Sequence, residues 1–535
     1  FLDFQTAFDR VGREGLWAKL RGKEVKGRLG RMLKALYAVH QAQVLVNGEV
    51  SAPFDIAIGT KQGCTLSPTL FAVFIDDLAE RLEEKAQGLP LPLTKHMLTE
   101  LLLADDVALF APSANALQQL LDVCTEWADK WHMNFGIAKC GVLLPREGDG
   151  SLKVPHGLPT FKLQGQSVPF VETYRYLGLV TRADVSWRET IADRVRATRA
   201  SVAEIRDLLT MPHVSIASKM HVVQSCVMST ALYGSEVWCS SEATMRAVEK
   251  EVAVAVRLAC GTSARGNARA LLAENGMLPL YLQVVSRRLA LLAKWQAAGA
   301  SEWPARIMKR GKRGLGGEQT WGSKTASMAR AVGWRADGNQ TLRTALLEAA
   351  RVQLLKEGPH CTVRAEYARR FLDAGTLEGQ QYIKEGAACY QLGARMLIRM
   401  RTGCVALPKY LLAAGSVASD KCVFCRNRRG VAEGRTHLLL ECPAWREERD
   451  AWARAREALF AAQEKRAYAR VWSALGEEGR VTLMLGGRVP DAAGAGVAAL
   501  GTVRGKQRQL QGLACSGLGA MFRARVKAAA ARGGF

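Results

Sequence analysis

The sequence contains no apolar run approaching the roughly 18 residues that cross a bilayer, and its first residues show no charged segment leading into an apolar core. It therefore reads as neither membrane-spanning nor visibly secreted, and a nuclear and cytoplasmic setting is expected. Closely paired cysteines are few too. The 13 cysteines are an odd number and mostly stand singly, as Cys64, Cys124, Cys226, Cys260 and Cys361 do, which does not look like a framework of paired disulfides in a secreted chain and fits a reducing compartment better. Acidic residues are in deficit: 50 Asp and Glu face 74 Lys and Arg, a formal net charge of +24. An excess of this size most simply neutralises phosphates, so nucleic acid is the leading partner, although charge alone leaves a basic but otherwise ordinary globular protein open. An initial Met is also lacking. Phe1 lies directly inside a strand-like apolar segment, so the chain reads as a fragment.

What is present can fold. With 48% hydrophobic residues over 535 positions, the chain can bury sizeable cores, and its length suggests about three domains. From Leu2 to about Val180 short apolar strands alternate with helical stretches, the pattern of an α/β or α+β unit. Asn47-Gly48 between alternating apolar residues in Gln43 to Gly59 predicts a hairpin. Ser67-Pro68 opens a helix whose apolar face is Phe71, Phe74, Ile75, Leu78 and Leu82, and a second helix is expected from about Asn115 to Trp131. Beyond Trp187 long helices take over. A basic, glycine-rich run from Lys309 to Gly317 reads as a linker, and the Ala-, Gly- and Arg-rich stretch from Gly486 is the part least expected to pack.

The candidate chemistry begins with carboxylates. Leu101 to Phe110 places Asp105 and Asp106 between two apolar runs, as in a hairpin with both acids at its turn. Acids in a turn are ordinarily just solvated, so a partner is required. Asp3 supplies one, because an acid between apolar residues at a strand end is costly unless it binds a cation. Two divalent ions about 4 Å apart, held by oxygen ligands, would serve phosphoryl transfer. Asp9, Asp76 and Asp77 are set aside, the last two as solvent-facing residues of a helix.

The run Asp3 to Phe8, then Lys61-Gln62-Gly63-Cys64-Thr65-Leu66-Ser67-Pro68, then Ala104-Asp105-Asp106, in that order, resembles palm motifs A, B and C of the reverse transcriptases of non-LTR (LINE-like) retrotransposons. The likeness continues through Trp127 to Lys139 as motif D, Tyr174 to Gly178 as motif E, and Ala231 to Trp238 as a motif of the thumb. It implies an α+β right-hand palm over residues 1–185 with the fingers largely missing, a helical thumb over 186–300, a linker over 301–340, a C-terminal helical region over 341–485 and a tail over 486–535. It further implies that Asp3, Asp105 and Asp106 hold two Mg²⁺, that Phe8 is the steric gate against ribonucleotides, and that Gln62 and Gly63 lie against the incoming dNTP. Lys139 would act near the pyrophosphate, and Leu177 with Gly178 would form the primer grip. RNA template and DNA primer or target are the implied partners, with the oligomeric state left open. Two positions depart from the family's pattern: Leu103 replaces an aromatic residue before Ala104, and Gly136 stands where motif D carries Asn three residues before its lysine.

A second constellation is Cys422, Cys425, His437 and Cys442, spaced C-x2-C-x11-H-x4-C. Four soft or borderline ligands at this spacing suit tetrahedral zinc, and with no ligand position left open the site should be structural. The same residues resemble the zinc knuckle of LINE-like elements, and Arg426, Arg428, Arg429 and Arg435 around it are candidate phosphate contacts. No His and Asp set for an apurinic-type nuclease is visible, and Pro490-Asp491 lacks a following acid-x-Lys. The leading expectation is RNA-directed DNA polymerisation. A group II intron maturase would share the palm, and the rival from another class is a non-catalytic nucleic-acid-binding remnant of such an element.

Overall fold

The structure, a computed structural model, describes residues 1–61, 63–85, 88–90, 97–145, 159–262, 267–297, 321–334, 341–355, 391–401, 422, 434–485, 503 and 506–530. These fall into two compact units, one running from Phe1 to Thr190 and the other beginning at Ile191.

The first unit is mixed. Its central feature is a three-stranded antiparallel sheet in which Asp106–Leu109 lies between Leu2–Asp3 and Glu100–Leu103. Two helices pack on it. Ser67–Lys85 buries Leu70, Phe71, Phe74, Ile75, Leu78 and Leu82, a spacing that puts every one of them on a single face. Ala114–Trp131 starts at Ser113, whose hydroxyl accepts from the Ala116 N–H, and ends where His132 turns left-handed. The core between these helices and the sheet is aromatic: Phe4, Phe71, Phe74 and Trp127 are buried, with Phe74 and Trp127 edge-on at 5.8 Å.

The Asn47-Gly48 hairpin forms as expected, joining Leu45–Val46 to Glu49–Val50, with both turn residues at positive φ (51° and 88°). Asp76 and Asp77 do not simply face solvent. Asp77 takes an ion pair from Lys19 at 2.6 Å and a hydrogen bond from the Trp127 indole N–H at 2.7 Å, while Asp76 pairs with Lys23. Lys19 in turn lies 4.0 Å from the Trp131 ring centre and 4.4 Å from that of Phe74. Burial lowers the pKa of its ammonium, against the opposing pull of Asp77. Asp77 is thus the counter-ion of a lysine drawn in among aromatic rings.

The second unit is helical. Arg288 is its buried hub: it donates to the carbonyls of Glu236, Cys239 and Trp321 and to the Thr325 hydroxyl, and burial pushes its pKa down to about 10. Trp321 and Thr325 belong to a helix, Trp321–Ala331, so part of the expected 301–340 linker is packed structure; the Lys309 to Gly317 run lies outside the described residues. The tail also corrects the reading from composition. Gln507–Ala530 is a helix with Leu510, Ala514, Cys515, Leu518 and Met521 buried, and Gly517 sits so close to the Trp452 ring that a Cβ there would lie 2.3 Å from it. Small residues at these positions let two helices approach, which is why a composition poor in large apolar residues still packs. Among the described residues no helix is long and apolar enough to cross a membrane.

Candidate active site and metal centre

Hydrogen-bonded strands bring the three acids together. The register of the central sheet sets Asp3 directly opposite Asp106, and the two-residue turn Ala104-Asp105 joins the Asp106 strand to Glu100–Leu103. Asp105 therefore sits in the turn, whereas Asp106 is the first residue of a strand rather than a second turn residue. Ala104 is held at φ +52°, a left-handed conformation that costs a non-glycine residue ~1 kcal/mol or more and is tolerated where the surroundings over-determine it. Here the apolar flanks Leu102 and Val107 pair and pack beneath the turn.

The electrostatics follow from this crowding. Burial first, then the charges of Asp105 and Asp3, raise the Asp106 carboxyl above its ordinary pKa. One oxygen of Asp3, Oδ2, is enclosed with no N–H or O–H aimed at it in hydrogen-bonding geometry. Three acids in close quarters, one with a buried oxygen that receives no well-aimed hydrogen bond, form an all-oxygen donor set suited to hard divalent cations such as Mg²⁺.

Other predicted residues assemble around this turn. The 134–141 segment zips along the far edge of the Leu2–Asp3 strand: Asn134 O accepts from Gln5 N, Gly136 N donates to Asp3 O at 2.8 Å, and Gly141 N donates to Phe1 O. This attachment carries Lys139 to Asp3, where its Nζ lies 3.2 Å from Oδ2. The expected place of this lysine was near a leaving group, and its pairing with an acid was not read from the sequence. Phe8 lies in a 3₁₀ turn, Ala7–Arg10, with its ring 4.8 Å from that of Phe71. Its carbonyl accepts from both N and Oγ1 of Thr60, tying the lead-in of the Lys61 to Pro68 segment to the 3₁₀ turn that follows the Asp3 strand. Gly63 adopts φ +77°, and Gln62 lies outside the described residues.

Leu177 and Gly178 form the two-residue turn, φ +49° and +76°, between the paired strands Thr173–Tyr176 and Leu179–Arg182. The hairpin adjoins the acids through its aromatic residues. Tyr174 stacks on Phe1 at 4.4 Å, and the phenols of Tyr174 and Tyr176 are raised above their ordinary pKa by burial, with Asp106 among the charges adding to it. Leu103 is 56% exposed beside the turn.

In the second unit Cys422, His437 and Cys442 converge, their candidate ligand atoms all within 4.8 Å of one another. The two sulfurs are 3.8 Å apart. Two thiolates about 2.3 Å from a tetrahedral zinc would be separated by roughly that distance. His437 and Cys442 are buried, and Glu441 Oε2 lies 3.3 Å from His437 Nδ1, the carboxylate support a ligating imidazole commonly has. Glu441 follows His437 by four residues, a helical spacing legible in the sequence. Cys425, Arg426, Arg428 and Arg429 lie outside the described residues. Arg435 is not a surface contact: its guanidinium is buried and donates to Met400 O at 3.1 Å.

Comparison with known proteins points the same way as the site. Residues 1–181 match the family "Reverse transcriptase (RNA-dependent DNA polymerase)". The chain is 27% identical over 248 residues to the RNA-directed DNA polymerase from mobile element jockey of Drosophila melanogaster, covering 44% of this chain and 25% of that protein. It is 25% identical over 268 residues to the probable RNA-directed DNA polymerase from transposon X-element of the same species, covering 47% and 27%. The Pol polyprotein of the R2 element of Popillia japonica is 25% identical over 203 residues, covering 37% and 33%. The chain spans about a quarter of the length of the jockey and X-element proteins.

Proposed function

On the premise that residues 1–181 are a reverse transcriptase domain of the non-LTR retrotransposon kind, we propose that this chain carries the catalytic palm of an RNA-directed DNA polymerase acting in target-primed reverse transcription. The observation that carries this reading is the direct pairing of Asp3 with Asp106, with Asp105 in the adjoining turn. Asp3, Asp105 and Asp106 would hold divalent cations, which would supply charge neutralisation at the reacting phosphate and activation of the attacking hydroxyl. The primer 3′ hydroxyl oxygen forms a bond to the α-phosphorus of a dNTP and gives up its proton to water, the bond from that phosphorus to the oxygen bridging to the β-phosphate breaks, and pyrophosphate leaves.

The protein's own residues orient this exchange. Asp3 and Asp106 hold their positions because strand pairing fixes them, and Asp105 because Ala104 is locked in its turn. The Phe8 ring, braced on Phe71, would fill the space of a ribose 2′ hydroxyl, while Gln62 and Gly63 would lie along the nucleotide. Leu177 and Gly178 would set the primer end. We assign residues 1–185 to the palm, 186–300 to the thumb and 341–485 to a nucleic-acid-binding C-terminal region with a structural zinc on Cys422, Cys425, His437 and Cys442. RNA template and DNA target would be held largely through phosphates, as the net charge of +24 favours.

Primer extension tests the reading. The chain, alone and joined to the upstream fingers segment of a relative, is assayed on an RNA template with a DNA primer and Mg²⁺. Extension by the fused protein that Asp105→Asn abolishes, while nucleic-acid binding persists, is the expected result. A fused protein that binds but never extends leaves the non-catalytic binding remnant in its place.

A further inference from the structure

Among the described residues, the only basic side chain ion-paired to any of the three acids is Lys139 on Asp3. The two partners are unlike. Asp3 is fixed in a strand with its side chain 19% exposed, whereas the Lys139 side chain is 74% exposed and approaches from solvent. Its backbone is nonetheless anchored, because Lys139 N donates to Gly136 O and Gly136 N donates to Asp3 O. Glycine at 136 keeps the approach open: a Cβ there would lie 3.6 Å from Asp3 Oδ2, so any longer side chain would compete for the space beside the carboxylate.

We propose that Lys139 is the resident counter-ion of Asp3, pairing with its carboxylate when no divalent cation is bound and giving it up when one binds. This rests on the metal-holding reading of the acids. Its physical basis is competition. Asp3 Oδ2 receives no well-aimed hydrogen bond, the lysine is the compensation within reach, and a cation that takes this oxygen must break the ion pair. By reciprocity, whatever the pair contributes without the ion is subtracted from the ion's affinity. Lys139 would thus set the cation concentration at which the site fills, as a positioning residue acting through Asp3.

The test uses Mn²⁺ as the probe, with binding measured by electron paramagnetic resonance on the chain and on its Lys139→Met, Lys139→Arg, Lys162→Met and Asp3→Asn variants. Thermal melts verify that each folds. Lys139→Met should bind Mn²⁺ more tightly, on the order of fivefold. Lys139→Arg, which keeps the pair, should match the parent, and so should Lys162→Met, which removes an exposed charge elsewhere on the unit. A second readout follows the amine itself: acylation of Lys139, quantified by mass spectrometry against Lys162, should rise when Mn²⁺ is added, and in Asp3→Asn should be high without it. Unchanged or weaker Mn²⁺ affinity in Lys139→Met overturns the proposal while leaving the metal site standing. A parent chain that binds no more Mn²⁺ than Asp3→Asn removes the metal-holding reading, and the proposal with it.

Discussion

Asp3 and Asp106 face each other across antiparallel strands, a position where like charges are ordinarily destabilising. Asp106, with which no basic side chain among the described residues pairs, is therefore carried at a cost to the fold. In the absence of divalent cation, Asp106→Asn should raise the melting temperature by about 2 °C, in keeping with the upward shift of its carboxyl. The same substitution should lower primer extension by about a hundredfold or more in the fused protein. A lowered melting temperature, measured by differential scanning fluorimetry in EDTA, would contradict this account of the pair.

Gly59, just ahead of the Lys61 to Pro68 segment, packs against the backbone of Asp9. Its φ is +83°, and a Cβ would lie 2.7 Å from the Asp9 carbonyl oxygen, which is backbone and cannot swing aside. Gly59→Ala should cost ~3 kcal/mol of stability in urea unfolding. Gly48→Ala, at φ +88° but with open space around it, should cost clearly less.

Phe8 is braced by Phe71 and only partly buried, so its truncation should separate two effects. Phe8→Val should lose about 1–2 kcal/mol of stability. In the fused protein it should also raise incorporation of rNTP relative to dNTP by about tenfold or more. A stability loss with an unchanged nucleotide ratio would leave Phe8 a packing residue.

The cysteine and histidine cluster should hold about one equivalent of zinc by elemental analysis. Because the ligands converge only in the folded chain, metal binding adds to folding stability. Chelation should lower the melting temperature of the parent, and Cys442→Ser should reproduce that loss and abolish the response to chelator. A metal-free protein with unchanged melting in chelator would exclude the site.

Local pattern was enough for much of this chain. The apolar spacing from Phe71 to Leu82 fixed a helix and its buried face, Asn47-Gly48 fixed a turn because both residues accept positive φ, the apolar runs around Asp105 and Asp106 marked a hairpin turn, and an acid between apolar residues marked Asp3 as a costly placement. The motif order was legible for the same reason: each motif is a short run whose chemistry is local. What local pattern could not supply was pairing between distant segments. The register that sets Asp3 against Asp106, the ladder that brings Lys139 onto Asp3, and the burial that turns Asp77 into the counter-ion of Lys19 and Arg435 into a donor to Met400 all depend on which segments lie side by side. The packed tail belongs here too, since glycine and alanine read as loose until Trp452 lies against Gly517. The sequence determined the elements and the chemical groups they bear. The tertiary structure decided which charges meet, because the cost of an unpaired charge depends on burial and neighbours, and both are set only when the chain has closed on itself.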